Sequence, residues 1–319
     1  MAFHDRAPVI VGVGQYKQQL SDVSKANEQY LLMEQALRAA ADDANCSELL
    51  RSIDRMLVIG GMWSYPDPGR LISDSVGSLE AKTFLTAMGG NMPQASVSDC
   101  CQRIAAGEMD VAVVVGGEAV YSKNKLKKTG RDLNKTGTEL KPAERFGENV
   151  SMSSQHERDK GFVVPTQVYA LFESTIRADR NETHDQHRQR ISNLWAGLNR
   201  VAVQNPYAWV RTPMSAEEIM HENPDNRMVG YPYTKAMNAN SFVDFGGAII
   251  ICSVGKAKAL GINPDQWVFP HAATDGNASY FFSERQNFHQ SPAIRLTGNR
   301  CLELAEISID EVGPMDLYS

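Results

Sequence analysis

Short apolar runs and stretches of helical period alternate through the first 120 residues and return after residue 238. The run PVIVGV at 8–13 is β-branched and predicts a strand. Met33, Ala36, Leu37, Ala40, Ala41 and Ala44 then recur at spacings of three and four, which predicts a helix over 27–44 with one inward face. A short apolar run at 55–59 ends at Gly60-Gly61, and a helix is expected near 71–79. The stretch 83–119 carries the fullest pattern. An apolar run (84–88) meets a bend at Gly89-Gly90-Asn91, and a helix begins near Pro93 with Val97, Cys100, Cys101 and Ile104 at helical spacing. It leaves at Gly107 for a continuous β-branched run, 111–115, of the kind found in strands buried on both faces. Strands and helices in alternation predict an α/β fold, layered α-β-α around a mostly parallel sheet.

The bend at Gly89, Gly90 and Asn91 is the candidate catalytic elbow. A strand, a tight turn and a helix expose one residue at a helix N-terminus, where free N–H groups and the helix dipole favour a developing negative charge. Enzymes place nucleophiles there. This sequence places glycine.

From residue 121 the pattern changes. Helices are predicted over 168–178, 186–203 and 216–220, with turns at Asn205-Pro206 and Asn223-Pro224, so 121–237 is read as a mostly helical insertion. Its first part is basic: Lys123, Lys125, Lys127, Lys128, Arg131, Lys135, Lys141 and Arg145 face only Asp132, Glu139 and Glu144. A solvated excursion is expected, with a basic flap over an anionic ligand such as a nucleotide phosphate as the sharper alternative. His184 and His187 have the spacing of a metal pair, but no third ligand lies near, and a solvated face among arginines is expected. The polar turn 238–247 leads to a buried strand, 248–253, and a helix, 256–260. The tail repeats the opening order, with a strand at 267–269, a helix at 292–305 and a strand at 315–318, which suggests an internal duplication whose second half is incomplete. The domains expected are therefore 1–120, the insertion 121–237, a return segment 238–262, and a partial second half 263–319.

Charge and composition narrow the function. A net charge of −6 argues against nonspecific nucleic-acid binding, and no apolar segment reaches the 18 residues of a membrane span. The N-terminus lacks the apolar core of a signal peptide. Five cysteines at no metal-ligand spacing read as reduced packing residues and fit a cytoplasmic protein; no metal site is expected. Gly12-x-Gly14 suggests a dinucleotide-binding turn, but Lys17 occupies the third glycine position and Glu34, at the acidic distance, lies on a helix. A nicotinamide-dependent oxidoreductase is disfavoured.

Four stretches together resemble the thiolase superfamily: PVIVGVGQ (8–15), AAGEMDVAVVVGGEA (105–119), NANSFVDFGGAIII (238–251) and IDEVGPMDLYS (309–319). The likeness is to the sterol-carrier-protein-type and bacterial thiolase-like proteins named acetyl-CoA acetyltransferases. It implies a thiolase-like fold, coenzyme A or an acyl-CoA thioester as substrate or ligand with no covalently bound cofactor, and a homodimer formed through the strand before the elbow helix. It also implies a thiolate nucleophile, a base and an oxyanion hole. Counting from Asp110, the family's cysteine falls at Gly90, with Gly89 beside it. Cys100 lies ten residues further along the helix, about 15 Å away. The asparagine of the N-E-A-F motif falls at Tyr318, and the later histidine and Cys-x-Gly motifs are absent from the sequence. Asn238, Asn240 and Ser241 match the turn that approaches the pantetheine of coenzyme A. Two functions are therefore expected: an acyltransferase-like protein acting on acyl-CoA thioesters, with a separate C-terminal domain or partner chain completing the site, or a non-catalytic protein that binds CoA thioesters or scaffolds a partner.

Overall fold

The computed structural model of the protein describes residues 3–133 and 136–317. In chain order its elements are β1 (Pro8–Lys17), α1 (Gln29–Asp43), β2 (Arg55–Val58), α2 (Pro68–Val76), β3 (Lys82–Thr86), α3 (Met92–Ala106), β4 (Val111–Ala119), α4 (Val120–Lys127) and β5 (Glu144–Phe146). There follow α5 (Gln155–Asp159), α6 (Pro165–Asp179), α7 (His184–Gln204), α8 (Ala216–Met220), β6 (Met228–Gly230), β7 (Tyr233–Thr234), β8 (Asp244–Ser253), α9 (Val254–Ala259) and α10 (Pro292–Ala305). Two compact units divide the chain. One comprises the residues up to Asn149 with Ser241–Ala273, the other Val150–Asn240 with the described residues from Thr274 onward.

The first unit is built on a six-stranded sheet of order β1-β8-β4-β2-β3-β5. β8 is antiparallel to both its neighbours and every other pairing is parallel, so β8 alone runs against the rest. Side chains alternate across β4. Val111, Val113 and Val115 join Met33, Ala36, Leu37 and Ala40 of α1 in one apolar cluster, while Ala112 and Val114 join Val97, Cys100 and Ile104 of α3 on the opposite face. Helices cover both faces, and the fold is the layered α/β one expected of a thiolase-like chain.

Glycine sets how closely α1 lies on the sheet. A Cβ on Gly14 would fall 2.0 Å from the Ala36 carbonyl oxygen, one on Gly12 2.1 Å from that of Ala40, and one on Gly246 2.2 Å from that of Leu32. Leu32, Ala36 and Ala40 form one i, i+4 ridge, seated directly on the main chain of β1 and β8. The Gly12-x-Gly14 pair is thus helix-packing surface. On the other face, the buried Arg55 of β2 pairs with Asp99 of α3 (3.1 Å) and lies 3.6 Å from the Phe84 ring centre, pinning α3 above β2 and β3.

Three features depart from the sequence expectation. The segment 121–145 is not part of a separate insertion. α4 and the chain to Asn149 belong to the sheet unit, because Leu126 and Leu133 are buried with Leu32 and Ala119, and β5 adds a strand to the outer edge of β3 (Lys135 lies outside the described residues). The strand expected at 267–269 is a single bridge between Val268 and Ile10; Pro270, with no N–H to donate, follows at once. Residues 315–317 carry no strand, and Tyr318 lies outside the described residues.

The second unit is mostly helical, with the β6–β7 ladder and an apolar centre formed by Ile191, Ala196, Ile219 and Met237. His187 is not on a solvated face. It is 2% exposed, its Nδ1 is 2.7 Å from Glu182 and its Nε2 is 2.8 Å from Glu173. Asn181, at φ 55°, turns the chain back so that Glu182 meets the ring. Hydrogen bonds from Arg180, Arg190 and His187 hold the Glu182 carboxyl down at about 2.

Three consequences are measurable. Gly14→Ala forces a Cβ into a helix carbonyl and should lower unfolding stability by about 2–4 kcal/mol in urea titration. Gly298→Ala on α10, where nothing lies within 4 Å of the new methyl, should raise it by about 0.5–1 kcal/mol. Because the folded Glu182 value lies below the ordinary 4.5, its contribution is complete above that pH and is lost as the pH falls toward 2. Acid titration of unfolding should show that loss in the parent protein and a flatter profile in Glu182→Gln.

Candidate functional site at the elbow

In an open α/β sheet the ligand crevice lies beyond the C-terminal ends of the parallel strands. Here β2 leads into Gly60-Gly61, β3 into the bend 87–91, and β4 closes on Gly116, Gly117, Glu118 and Ala119. The Thr86 hydroxyl accepts the Gly60 N–H (2.9 Å) and donates to the Ala87 carbonyl (2.8 Å), locking the first two ends together. The segment after β5 fixes the elbow: Ala87 N–H donates to Phe146 O (2.8 Å), and Met88 N–H to the Asn149 side chain (3.0 Å). Met92 N–H then closes the turn onto Gly89 O (3.1 Å). The N–H groups of Gly89, Gly90 and Asn91 have no acceptor among the described residues, and Gly90 and Asn91 are exposed. At Gly89 a side chain would crowd the movable Asn91 Oδ1, at 2.7 Å, and touch Met92 Cγ at 3.7 Å.

Beside the elbow lies a cleft of about 370 Å³, walled by Met88, by the loop Gly61–Tyr65, by Lys123 at the start of α4, and by Gln29, Asp132 and Leu133. Three contacts tie that loop to β4 and α4. Met62 N–H donates to Glu118 Oε1, the Trp63 indole N–H to Gly117 O (2.9 Å), and Lys123 Nζ to Met62 O (3.3 Å). Burial raises the Glu118 pKa, opposed by the Met62 hydrogen bond and the Lys123 charge, and Oε2 is buried with no hydrogen-bond partner. Tyr65 donates to Glu28 (2.8 Å), which also accepts both the N–H and the hydroxyl of Thr136. Burial, then Glu28, raises the Tyr65 pKa, so the phenol stays protonated.

Three thiols of the sheet unit are held in the protonated form. Burial pushes Cys100 up to about 12, Cys101 to about 11 and Cys252 to about 12. Cys100 and Cys101 both sit well along α3, away from its N-terminus.

The residues singled out in the sequence fall as follows. Gly89, Gly90 and Asn91 do form the strand–helix elbow. Asn238 and Asn240 belong to the second unit, where the Asn238 side chain donates to Thr234 O (2.8 Å); Ser241 belongs to the first. Tyr318 lies outside the described residues. Asp244, in the same motif, is fully buried and accepts from the N–H and hydroxyl of Ser122, so it anchors α4. Asp110 accepts from Arg6 and Ser253, both at 2.8 Å, and fixes the entry to β4. Glu118 and Asn149 were not singled out. An acidic residue closing the apolar run VVVGG was a signal for the first, and nothing in the sequence marked the second.

No protein-family model matches the sequence, and no curated protein matches it. Solved structures do. A monomeric SCP2-thiolase-like protein type 1 from Mycobacterium smegmatis superposes with a TM-score of 0.80 at 27% identity, over 99% of this chain and 61% of that one. The chain belongs to the thiolase-like superfamily. The Ltp2–ChsH2(DUF35) aldolase (TM-score 0.66, 17% identity, 97% of this chain and 72% of that one) shares the fold. So does human mitochondrial 3-ketoacyl-CoA thiolase, solved in complex with CoA (0.55, 17%, 96% and 77%). This thiolase-like chain thus spans about three-fifths of the length of the M. smegmatis protein.

The thiol environments give a direct test. At pH 8, well below about 12, the Cys100 thiol is protonated. Peptide mapping after brief alkylation of the folded protein should find Cys100, Cys101 and Cys252 unmodified, with labelling rising as the pH is raised. Rapid modification of any of the three at neutral pH would contradict the environments described.

Proposed function

We propose that this thiolase-like chain binds acyl-CoA thioesters at the elbow and does so without forming an acyl–enzyme. The observation that carries the proposal is the glycine pair at the elbow: Gly90 stands where the superfamily's attacking cysteine is expected, and the thiols on the same helix, buried Cys100 and half-buried Cys101, are held protonated by desolvation. What remains is a set of unpartnered N–H groups at a helix N-terminus beside a cleft, an arrangement suited to a polarised carbonyl oxygen. Ser241, in the same unit as the elbow, is proposed to meet the pantetheine arm. A cytoplasmic location fits the free cysteines, and among the described residues no helix is long and apolar enough to cross a membrane.

A second reading has its own support. The chain spans 61% of the M. smegmatis protein, and the Ltp2 structure contains a second named component, ChsH2. An acyltransferase whose nucleophile and base come from another domain or partner chain is consistent with both. A homodimer formed through β3 is disfavoured, because Glu144–Phe146 of the same chain already pairs with its outer edge. A dimer would have to use another surface.

Calorimetry of the protein with CoA and with acetyl-CoA should give measurable heat at or below millimolar ligand, and intact mass after acetyl-CoA treatment should be unchanged. Absence of heat with both ligands rejects the binding proposal. An acetyl adduct on a cysteine of this chain rejects the non-covalent mode.

A further inference from the structure

The elbow N–H groups suit a carbonyl oxygen and say nothing of the chain attached to it; the cleft alongside does. Its volume of about 370 Å³ is that of a small-molecule site and far exceeds an acetyl group. Met62, Trp63, Met88 and Leu133 make much of its wall apolar. Two polar residues on that wall have donors to spare. Gln29, at the start of α1, is 5% exposed, and its amide oxygen faces the Tyr65 hydroxyl at 3.1 Å. Its NH₂ group has no partner among the described residues. Lys123 gives one N–H to Met62 O (3.3 Å) and forms no ion pair among the described residues, so two of its three N–H groups remain. Both are held firmly: Ser122, next to Lys123, is bound through its N–H and hydroxyl to buried Asp244, and Gln29 sits beside the Tyr65–Glu28 hydrogen bond. Asp132 is the one carboxylate that lines the cleft. It is exposed, and its Oδ1 accepts the N–H of Leu133 (2.9 Å).

We infer that this cleft selects acyl groups ending in a carboxylate, so that the ligand class of the chain is the half-thioesters of dicarboxylic acids. The inference rests on the proposed binding of acyl-CoA thioesters at the elbow. With the thioester oxygen on the elbow N–H groups, the acyl chain passes Met88, which belongs to both elbow and cleft, and the distal carboxylate accepts from Lys123 and Gln29. An ammonium and an amide NH₂ supply one donor to each carboxylate oxygen, and charge-assisted hydrogen bonds of this kind are the strong ones. A neutral chain of equal length would strip water from both donors and leave them unpaired, which costs more than a hydrogen bond contributes when made. Selection is therefore against the uncharged acyl group as much as for the charged one. The exposed Met62 and Met88 side chains flank the entrance and adapt to chains of different length. The nucleotide phosphates of coenzyme A carry similar charge but stand a pantetheine arm away from the thioester.

A matched pair of ligands tests this. Glutaryl-CoA and its terminal methyl ester differ in one charge, and each is titrated into the full chain by calorimetry, with CoA alone as a third arm. The parent protein should bind glutaryl-CoA at least about tenfold more tightly than the ester, a comparison that needs no variant. In Lys123→Met, which keeps an apolar stem and removes the ammonium, the two should bind within about twofold of each other, whatever their common affinity. Lys123→Arg, which keeps the charge, should retain a preference of at least about threefold. Equal binding of the pair by the parent, or a preference undiminished in Lys123→Met, overturns the inference and leaves thioester binding standing. Weakening of CoA itself in Lys123→Met by the same factor as glutaryl-CoA assigns the lysine to a nucleotide phosphate and also overturns it. Failure of the parent to bind any of the three ligands rejects the inference together with the reading beneath it.

Discussion

Everything at the elbow depends on how closely α1 lies on the sheet. With Gly12, Gly14 and Gly246 beneath the Ala40, Ala36 and Leu32 carbonyls, the helix rests on main chain and not on side chains. That contact sets the level of β1 and β8, and through β8 the level of β4, the strand that carries Glu118 at its end. Protein interiors transmit small displacements because they are packed at crystal density. A methyl group under α1 would therefore be felt across the sheet, at the strand ends that frame the cleft.

On the opposite face a polar clamp performs the matching task. Arg55, stacked on Phe84 and paired with Asp99, fixes α3 and so its N-terminus, while Phe146 and Asn149 hold the preceding strand end from outside. The elbow is thus gripped from both sides, with its own N–H groups left unpaired. Preorganised donors of this kind stabilise charge without reorganising at the moment of reaction. The same grip occupies the free edge of β3, so one short strand both shapes the site and closes an edge that would otherwise invite pairing with another chain.

The sequence exposed the architecture wherever burial imposed a period. The face of α1, the doubly buried run of β4 and the glycine bend were all legible, because each follows from a local pattern. Segments whose structure comes from distant partners were not. Nothing in Glu144-Arg145-Phe146 indicates a strand, since its pairing is supplied by Phe84, Leu85 and Thr86. His187 looked like one of many polar residues on a charged helix, and only the backward turn at Asn181 puts Glu182 over its ring. Gly12 and Gly14 were visible as special, but the reason, the α1 carbonyls of Ala40 and Ala36 pressed against them, could not be seen in one dimension.

The central claim is that a thioester ligand occupies the elbow cleft reversibly, with no bond to the chain. Amide hydrogen exchange of the full chain with and without acetyl-CoA locates that ligand by peptide. The account predicts slower exchange confined chiefly to 60–65 and 87–92, disappearing when the ligand is dialysed away. Unchanged exchange in both segments, or protection that survives dialysis, would contradict it.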